Sequence, residues 1–198
     1  MRSQKLITYG KPLEYVEEVN PIPTGTEVLV SISHCGVCHS DLHLQDGFFS
    51  LGNDRKLDVS NRRELPFTLG HEIQGRIAAL GPEVSGIEVG DKYVVYPWIG
   101  CRDCIQCERG LENLCARNRS LGTAKDGGFS DYVLVPHPRY LLNSSGIDDG
   151  LAGTFMCSGL TAYSALQKVG ELPQGDRLLV IGLGGVGFMA LQLARLLF

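Results

Sequence analysis

The clearest chemical signal in the sequence is a run of four closely spaced cysteines, CRDCIQCERGLENLC at residues 101–115. The spacing is C-x2-C-x2-C-x7-C, and four thiolates in one loop can complete a tetrahedral shell with no open position, as a structural zinc requires. A disulfide pair and an iron–sulfur cluster are the alternatives, although bacterial cluster motifs continue with C-x3-C-P. We predict a structural zinc bound by Cys101, Cys104, Cys107 and Cys115.

A second group of metal-binding residue types is dispersed along the chain. The segment HCGVCHSDLH, residues 34–43, holds two cysteines and three histidines, whereas His71, Glu72 and Cys157 lie far beyond it. A lone cysteine among apolar residues is typical of a core position, and His71 beside Glu72 is compatible with a surface pair. Spacing alone cannot join such distant positions, so a catalytic site remains one of several interpretations.

A glycine motif near the end of the chain, VIGLGGVG, has the G-x-G-x-x-G spacing of a phosphate-binding turn. The motif follows the strand-like run RLLVI and opens an apolar helix, which is the context that such a turn needs. We predict that Gly182, Gly184 and Gly187 bind the pyrophosphate of a dinucleotide coenzyme. A glycine turn that serves only packing is the alternative.

The elements that position these residues differ between the two parts of the chain. The first 140 residues contain short strand-like runs separated by turn signals, which predicts a small antiparallel barrel or sandwich. A short helix after Gly36 would carry His39 and His43 on one face. The strand-like runs are residues 27–33, 75–80, 92–97 and 131–136.

From about residue 148 the pattern changes to helix, turn, strand, glycine turn and helix, which is typical of a parallel α/β sheet. The sequence therefore predicts a β-rich domain over residues 1–150 and the opening part of an α/β domain over residues 151–198. One strand and one helix cannot form a doubly wound sheet, so we expect the second domain to be incomplete.

Composition and charge exclude several classes of protein. Hydrophobic residues make up 43% and charged residues 20%, as in a soluble globular protein, and a net charge of −4 without a basic patch disfavours nucleic-acid binding. The first residues contain no signal-peptide run, so we expect a cytoplasmic protein in which cysteines act as metal ligands and not as disulfides. Glycines and Arg195 interrupt the apolar segment 178–198, which disfavours a membrane span.

Several motifs together resemble one family. GHEIQGRIAALGPEV fits the pattern G-H-E-x-x-G-x5-G of zinc-containing alcohol dehydrogenases. CGVCHSDLH, the four-cysteine segment, GGFSDYVLVP, CSGLTAYSAL and VIGLGGVG follow the order of the zinc-dependent medium-chain dehydrogenases and extend the resemblance over the whole chain. The resemblance implies a GroES-like β-barrel catalytic domain, followed by the opening part of a Rossmann-type parallel sheet that is truncated here.

The resemblance also implies a catalytic zinc. Its ligands would be Cys38, His71 and Cys157, because the matching cysteine directly precedes His-Ser-Asp. Cys35 is therefore not expected to bind the metal. Three protein ligands would leave a fourth position for water or substrate.

Other residues match positions around that zinc. Asp41 and Glu72 match carboxylates that lie behind the ligands, and Asp41 would orient the His71 ring. Trp98 matches an aromatic side chain of the substrate pocket, although it is equally compatible with a core position.

A proton relay and a coenzyme contact complete the implied site. Ser40 would take the proton of the alcohol, and His43 would pass it to solvent. His39 matches a residue that contacts the coenzyme pyrophosphate. Without the resemblance, Ser40 and Asp41 could equally be a helix-capping pair.

The implied function is hydride transfer between a zinc-bound alcohol or aldehyde and NAD(P), with NAD favoured and two zinc ions per chain. The partners would be a small-molecule alcohol or aldehyde and, in a full-length protein, further copies of the chain in a homodimer or homotetramer. A non-catalytic zinc-binding relative that retains only the four-cysteine site is the alternative function. A thiol redox protein using Cys35 and Cys38 is a third hypothesis.

Two departures from the family pattern affect this interpretation. The segment FFSLGNDRKLDVSNRR, residues 48–63, is longer than usual where substrate-pocket loops lie, and it could narrow the pocket, form a lid or add an oligomer contact. The acidic residue that distinguishes NAD from NADP follows the glycine turn by about 20 residues, which places it beyond Phe198. We therefore expect the 198-residue chain to be a fragment with little or no dehydrogenase activity.

Overall fold

The computed structural model describes residues 1–173 and 175–198, which form a β-rich body followed by two helices. Ten strands and four α-helices are present in the described residues. The strands are β1 (Arg2–Leu6), β2 (Glu14–Glu17), β3 (Val28–Gly36), β4 (Phe48–Ser50), β5 (Lys56–Asp58), β6 (Phe67–Thr68), β7 (Glu72–Leu80), β8 (Lys92–Val95), β9 (Tyr132–Val135) and β10 (Leu141–Asn143). The helices are α1 (His39–Asp46), α2 (Ile105–Glu108), α3 (Ser158–Val169) and α4 (Gly185–Leu197).

A five-stranded antiparallel sheet with the order β10-β8-β7-β3-β9 forms the centre of the body. Alternate residues of a strand point to opposite faces, so Val28 and Val30 of β3 enter the core together with Ile73 and Ile77 of β7. The predicted β-rich part is therefore confirmed. All four strand-like runs of the sequence lie in this sheet.

A second sheet of three strands, with the order β2-β1-β6, lies beside a smaller core. Leu44 of α1, Val59, Phe67 and Leu69 form that core. The segment 48–63 folds as the β4–β5 hairpin followed by a short 3-10 turn at Ser60–Arg62. Val59 anchors this segment to α1 through the smaller core.

The C-terminal part contains α3 and α4, which pack against each other. A 3-10 turn at Ala152–Met156 precedes α3, and Cys157 lies between the two. The strand predicted over RLLVI was wrong, because no strand is present at residues 177–181 among those described. Strands require neighbours that pair with their backbone groups, and here Leu179 and Ile181 are 80% and 90% exposed. The domain boundary near residue 150 and the Rossmann-type sheet stay predictions.

The apolar segment at the end of the chain does not form a membrane-spanning helix. Its helical part, α4, has 13 residues. Over residues 1–173 and 175–198, none of the helices combines the length and apolar character needed to cross a bilayer.

Candidate metal centres

The four cysteines of residues 101–115 converge on one point. Their sulfur atoms all lie within 4.8 Å of one another. The Sγ–Sγ distances are 3.6 Å for Cys104–Cys107, 3.8 Å for Cys104–Cys115 and 3.9 Å for Cys101–Cys107. A tetrahedral zinc with Zn–S bonds of about 2.3 Å places its sulfur ligands about 3.8 Å apart. The four thiols therefore have the spacing that a single zinc ion requires.

The same distances exclude disulfides. A disulfide bond is about 2.05 Å long, whereas all seven cysteines are free thiols. A multi-iron cluster, which lies between its thiolates, would also hold them farther apart than a single metal ion does.

A buried carboxylate that the sequence did not single out attaches this cysteine lobe to the main sheet. Glu112 Oε2 accepts hydrogen bonds from Gly100 N and from Tyr140 Oη, both at 2.8 Å. Its Oε1 lies 3.0 Å from the Arg139 guanidinium. Burial alone would raise the pKa of Glu112, but these hydrogen bonds and the charge of Arg139 lower it below the ordinary value. A spacing argument misses Glu112 because its partners are 12 and 28 residues away.

The dispersed candidates form the second centre. Donor atoms of Cys38, His71, Glu72 and Cys157 lie within 4.8 Å of one another, and the two sulfur atoms are 3.8 Å apart. Cys38 caps α1, the pair His71–Glu72 begins β7, and Cys157 precedes α3. The fold therefore brings together three positions that the sequence could not join.

His71 has the environment of a metal ligand. Its side chain is 0% exposed, and neither ring nitrogen makes a hydrogen bond with any residue that the structure describes. Buried polar groups are nearly always paired, so an unpaired imidazole beside two thiols fits a group that binds a cation. The site residues therefore suit zinc, which takes nitrogen and sulfur ligands.

Asp41 connects the start of α1 with the start of β7. Its Oδ2 accepts a hydrogen bond from Cys38 N at 2.9 Å, and its Oδ1 accepts one from Gly70 N at 3.2 Å. The same Oδ1 lies 3.3 Å from His71 Nδ1, in a direction that is poor for a hydrogen bond. Asp41 thus caps the helix and also lies behind the His71 ring, so its two predicted roles are compatible.

The pKa values of the groups in the second centre are shifted in different directions. A hydrogen bond from Cys157 and the nearby His71 ring lower the pKa of Cys38 to about 3. The pKa of Cys157 is raised, because its proton is held by the Cys38 thiolate and its surroundings are dry. Burial disfavours the charged form of His71, but Asp41 and Cys38 outweigh burial and raise its pKa to about 9. Metal binding would have to displace the remaining protons.

Glu72 is predicted to lie behind the metal ligands, but its carboxylate lies among the donor atoms themselves. It is buried, and its carboxylate belongs to the group of four donors. Burial, and then the charge of Cys38, raise its pKa. A side chain at Gly36 would clash with this carboxylate, so Gly36 leaves the space that Glu72 occupies.

The predicted relay residues Ser40 and His43 and the predicted coenzyme contact His39 lie on α1. The His39 and His43 ring centroids are 4.8 Å apart, and His43 lies equally close to Phe49. Ser40 is half-buried, and its backbone N–H donates to Cys38 Sγ at 3.5 Å. The helix thus places Ser40 beside the second centre and His43 next to His39 and Phe49.

Trp98 lies between the second centre and a cavity of about 780 Å³. Its ring centroid is 5.5 Å from that of His71, and its Nε1 donates to Met156 O at 2.8 Å. Ser40 lines the same cavity. Trp98 is therefore half-buried at a cavity wall.

The glycine turn has the backbone features that its spacing predicts. Gly182 has a φ of 89°, which favours glycine, and a side chain at Gly187 would clash with Gly182 O. Gly184 caps the N-terminus of α4. A Cβ at Gly185 would lie 3.7 Å from Ser158, so the turn lies next to the residue that follows Cys157.

Cys35 lies outside both groups of donor atoms in the described structure. Burial raises the pKa of its thiol to about 12. Thiol chemistry requires a thiolate, so this environment disfavours a redox pair of Cys35 and Cys38.

Comparison with known proteins relates this geometry to one family. Residues 24–145 match the family described as the alcohol dehydrogenase GroES-like domain. An NAD-dependent alcohol dehydrogenase of Sulfurisphaera tokodaii is 43% identical over 196 residues, which cover 98% of this chain and 55% of that protein. The chain therefore spans about half the length of the curated relatives it matches.

Solved structures resemble the chain over nearly all of its length. A crystal structure of an NAD-dependent alcohol dehydrogenase has a TM-score of 0.86 and 30% identity, covering 99% of this chain and 55% of that one. A cobalt- and zinc-bound thermostable alcohol dehydrogenase from Pyrobaculum aerophilum has a TM-score of 0.84 and 29% identity, covering 100% and 57%.

Proposed function

Because this chain belongs to the alcohol dehydrogenase GroES-like domain family, we propose that it forms the zinc-binding catalytic part of an NAD-dependent alcohol dehydrogenase. The observation that carries the proposal is the convergence of Cys38, Cys157 and an unpaired, fully buried His71. The substrate would be a small alcohol or aldehyde.

Cys38, His71 and Cys157 would hold the catalytic zinc, with Glu72 as a neighbouring donor. Once bound, the zinc would supply a Lewis acid for the alcohol oxygen, and the nicotinamide would supply an acceptor for the hydride. Asp41 orients the His71 ring and fixes the start of α1, so it acts as a positioning residue.

The residues of α1 would move the alcohol proton and hold the coenzyme. Ser40 lines the cavity, and its Oγ would accept the proton. His43, three residues along the same helix, would exchange that proton with solvent. His39 and the glycines at 182, 184 and 187 would bind the pyrophosphate.

The four-cysteine site would hold the second zinc in a closed shell. Four thiolates leave no position for substrate, so this ion would stabilise the lobe and take no part in the reaction. NAD as the coenzyme, a cytoplasmic location, and a homodimer or homotetramer of the whole protein belong to the same proposal.

The metal content of the purified chain tests the proposal. Inductively coupled plasma mass spectrometry should find two zinc ions per chain, of which one is lost in Cys38→Ser and the other in Cys104→Ser. Cys35→Ser is the matched control, because this thiol lies outside both groups of donors, and it should keep both ions. A single ion that is lost only in Cys104→Ser would instead support the non-catalytic zinc-binding alternative.

A further inference from the structure

The cavity beside Trp98 has both apolar and polar walls and lies close to the second metal centre. Leu44 and Phe49 contribute apolar side chains, and Ser40 lies at the side near Cys38. The volume of about 780 Å³ is within the range of about 300–1,000 Å³ that is usual for small-molecule sites. The cavity can therefore hold a substrate considerably larger than ethanol.

The charged residues that line this cavity are both positive. Arg62 and Arg63, at the end of the segment 48–63, line it, whereas none of the aspartates and glutamates that the structure describes does so. Neither arginine forms an ion pair within residues 1–173 and 175–198. Two arginine residues thus line the cavity, and neither has a carboxylate partner among the described residues.

Arg63 is held in place by neutral groups. Its Nε donates to Thr123 O at 3.1 Å and its Nη1 donates to Val59 O at 3.4 Å, while the guanidinium carbon lies 5.5 Å from the centroid of the Phe67 ring. Nη2 donates to none of the described residues, so part of the donor fork is free. A guanidinium fixed by carbonyl groups keeps its full charge and loses little entropy on binding an anion.

We propose that this cavity selects alcohols or aldehydes with an apolar body and an oxyanion, a carboxylate or a phosphate, at the far end. The inference rests on the proposed function and adds a substrate class to it. The hydroxyl end would lie at the centre formed by Cys38, His71 and Cys157, and the oxyanion would bind Arg62 and Arg63.

A purely structural role for Arg63 makes a different prediction. In that case its hydrogen bonds only attach the segment 48–63 to the loop containing Thr123. Its replacement would then weaken the binding of charged and neutral ligands equally. Comparing an anionic ligand with its neutral isostere separates the two roles.

Trp98 provides the measurement, because it is the single tryptophan of the chain and lines the cavity. Quenching of its fluorescence would be titrated in the zinc-loaded chain with 4-(hydroxymethyl)benzoate and with the neutral 4-(hydroxymethyl)benzamide. We expect the benzoate to bind at least about tenfold more tightly, since hydrogen bonds to charged groups are the strong ones. 4-(Hydroxymethyl)phenyl phosphate is the third probe, and the tighter anion identifies the oxyanion that the site prefers.

The variants locate the effect. Arg63→Gln should weaken benzoate binding about tenfold, and the more exposed Arg62→Gln about threefold, with less than a twofold change for the benzamide. Arg55→Gln is the matched control, because Arg55 lies in the same segment 48–63 but does not line the cavity. It should bind all three probes as the unchanged protein does.

Equal affinity for benzoate and benzamide, or an equal loss of both in the two variants, would overturn the inference. If Arg63→Gln fails to fold, two other measurements test the inference: the affinities of Arg62→Gln, and the effect of salt on probe binding by the unchanged protein. Salt should weaken the binding of the anionic probes only, because it screens charges. A chain that binds two zinc ions without any anion preference contradicts this inference alone. A chain that binds no zinc at the second centre contradicts the proposed function.

Discussion

At the scale of single residues, the second centre contains a histidine in an unusual environment. A buried histidine normally has hydrogen-bond partners, yet both nitrogens of His71 are unpaired among the described residues. Asp41 is the only carboxylate within ion-pair distance of that ring in the described part of the chain. Asp41 is therefore the carboxylate that can act on the ring from behind.

Replacing that charge tests the positioning role. Asp41→Asn keeps one side-chain oxygen to accept from Cys38 N at the start of α1 but removes the charge behind His71 and the acceptor for Gly70 N, so zinc affinity at the second centre should fall about tenfold. Competition with a chromophoric chelator measures it, and the four-cysteine site should keep its affinity. Asp46→Asn, at the exposed end of α1, is the control. An unchanged affinity in Asp41→Asn would show that Asp41 serves only as a helix cap.

At the scale of elements, the cysteine lobe and the segment 48–63 are both attached to the body by a few specific contacts. The lobe is joined through Glu112, and the segment through Val59 and Arg63. The lobe itself contains only α2 and a 3-10 turn. Its position relative to the sheet therefore depends on hydrogen bonds such as those of Glu112 more than on apolar packing.

Glu112→Gln should destabilise the folded chain by about 1–3 kcal/mol at neutral pH, because buried hydrogen bonds to a charged group are lost. The pKa of Glu112 is lowered in the folded state, so its contribution is complete above the ordinary value of about 4.3. It is lost as the pH falls through the lowered pKa. Urea unfolding of both proteins between pH 3 and pH 7 measures the difference. A difference that persists unchanged at pH 3 would rule out ionisation as its origin.

At the scale of the whole molecule, apolar surface is concentrated at the C-terminal part. Leu179 and Ile181 of the extended segment and Leu196 of α4 are 80%, 90% and 83% exposed. Exposed apolar groups that lie close together promote association. The chain spans about half the length of its curated relatives.

Polar replacement of these side chains should keep the chain monomeric. We expect the triple variant Leu179→Ser, Ile181→Ser and Leu196→Ser to self-associate less than the unchanged chain in light scattering, with the same zinc content. Val19→Ser is the matched control, because Val19 is 91% exposed but lies in the N-terminal part. Equal association of the triple variant and the unchanged chain would place the associating surface elsewhere.

Much of this protein can be predicted from local sequence patterns. The convergence of Cys101, Cys104, Cys107 and Cys115 is predictable because the four lie within 15 residues, so a short loop can bring their thiols together. Four of the five strands of the central sheet are predictable from their strand-like apolar runs, whereas β10 is not among the predicted runs. The glycine turn is likewise a local backbone requirement, and the φ of Gly182 agrees with it.

Only the tertiary structure decided the rest, because it depends on residues that are far apart in the chain. Cys38 and Cys157 are separated by 119 residues, and only the packing of α1, β7 and α3 brings their sulfur atoms to 3.8 Å. The run at residues 177–181 has strand-like residues but forms no strand among the described residues, because strands are completed by their neighbours. Glu112 and Arg63 look like ordinary surface charges in the sequence, since spacing contains no information about burial or about which carbonyl groups lie nearby.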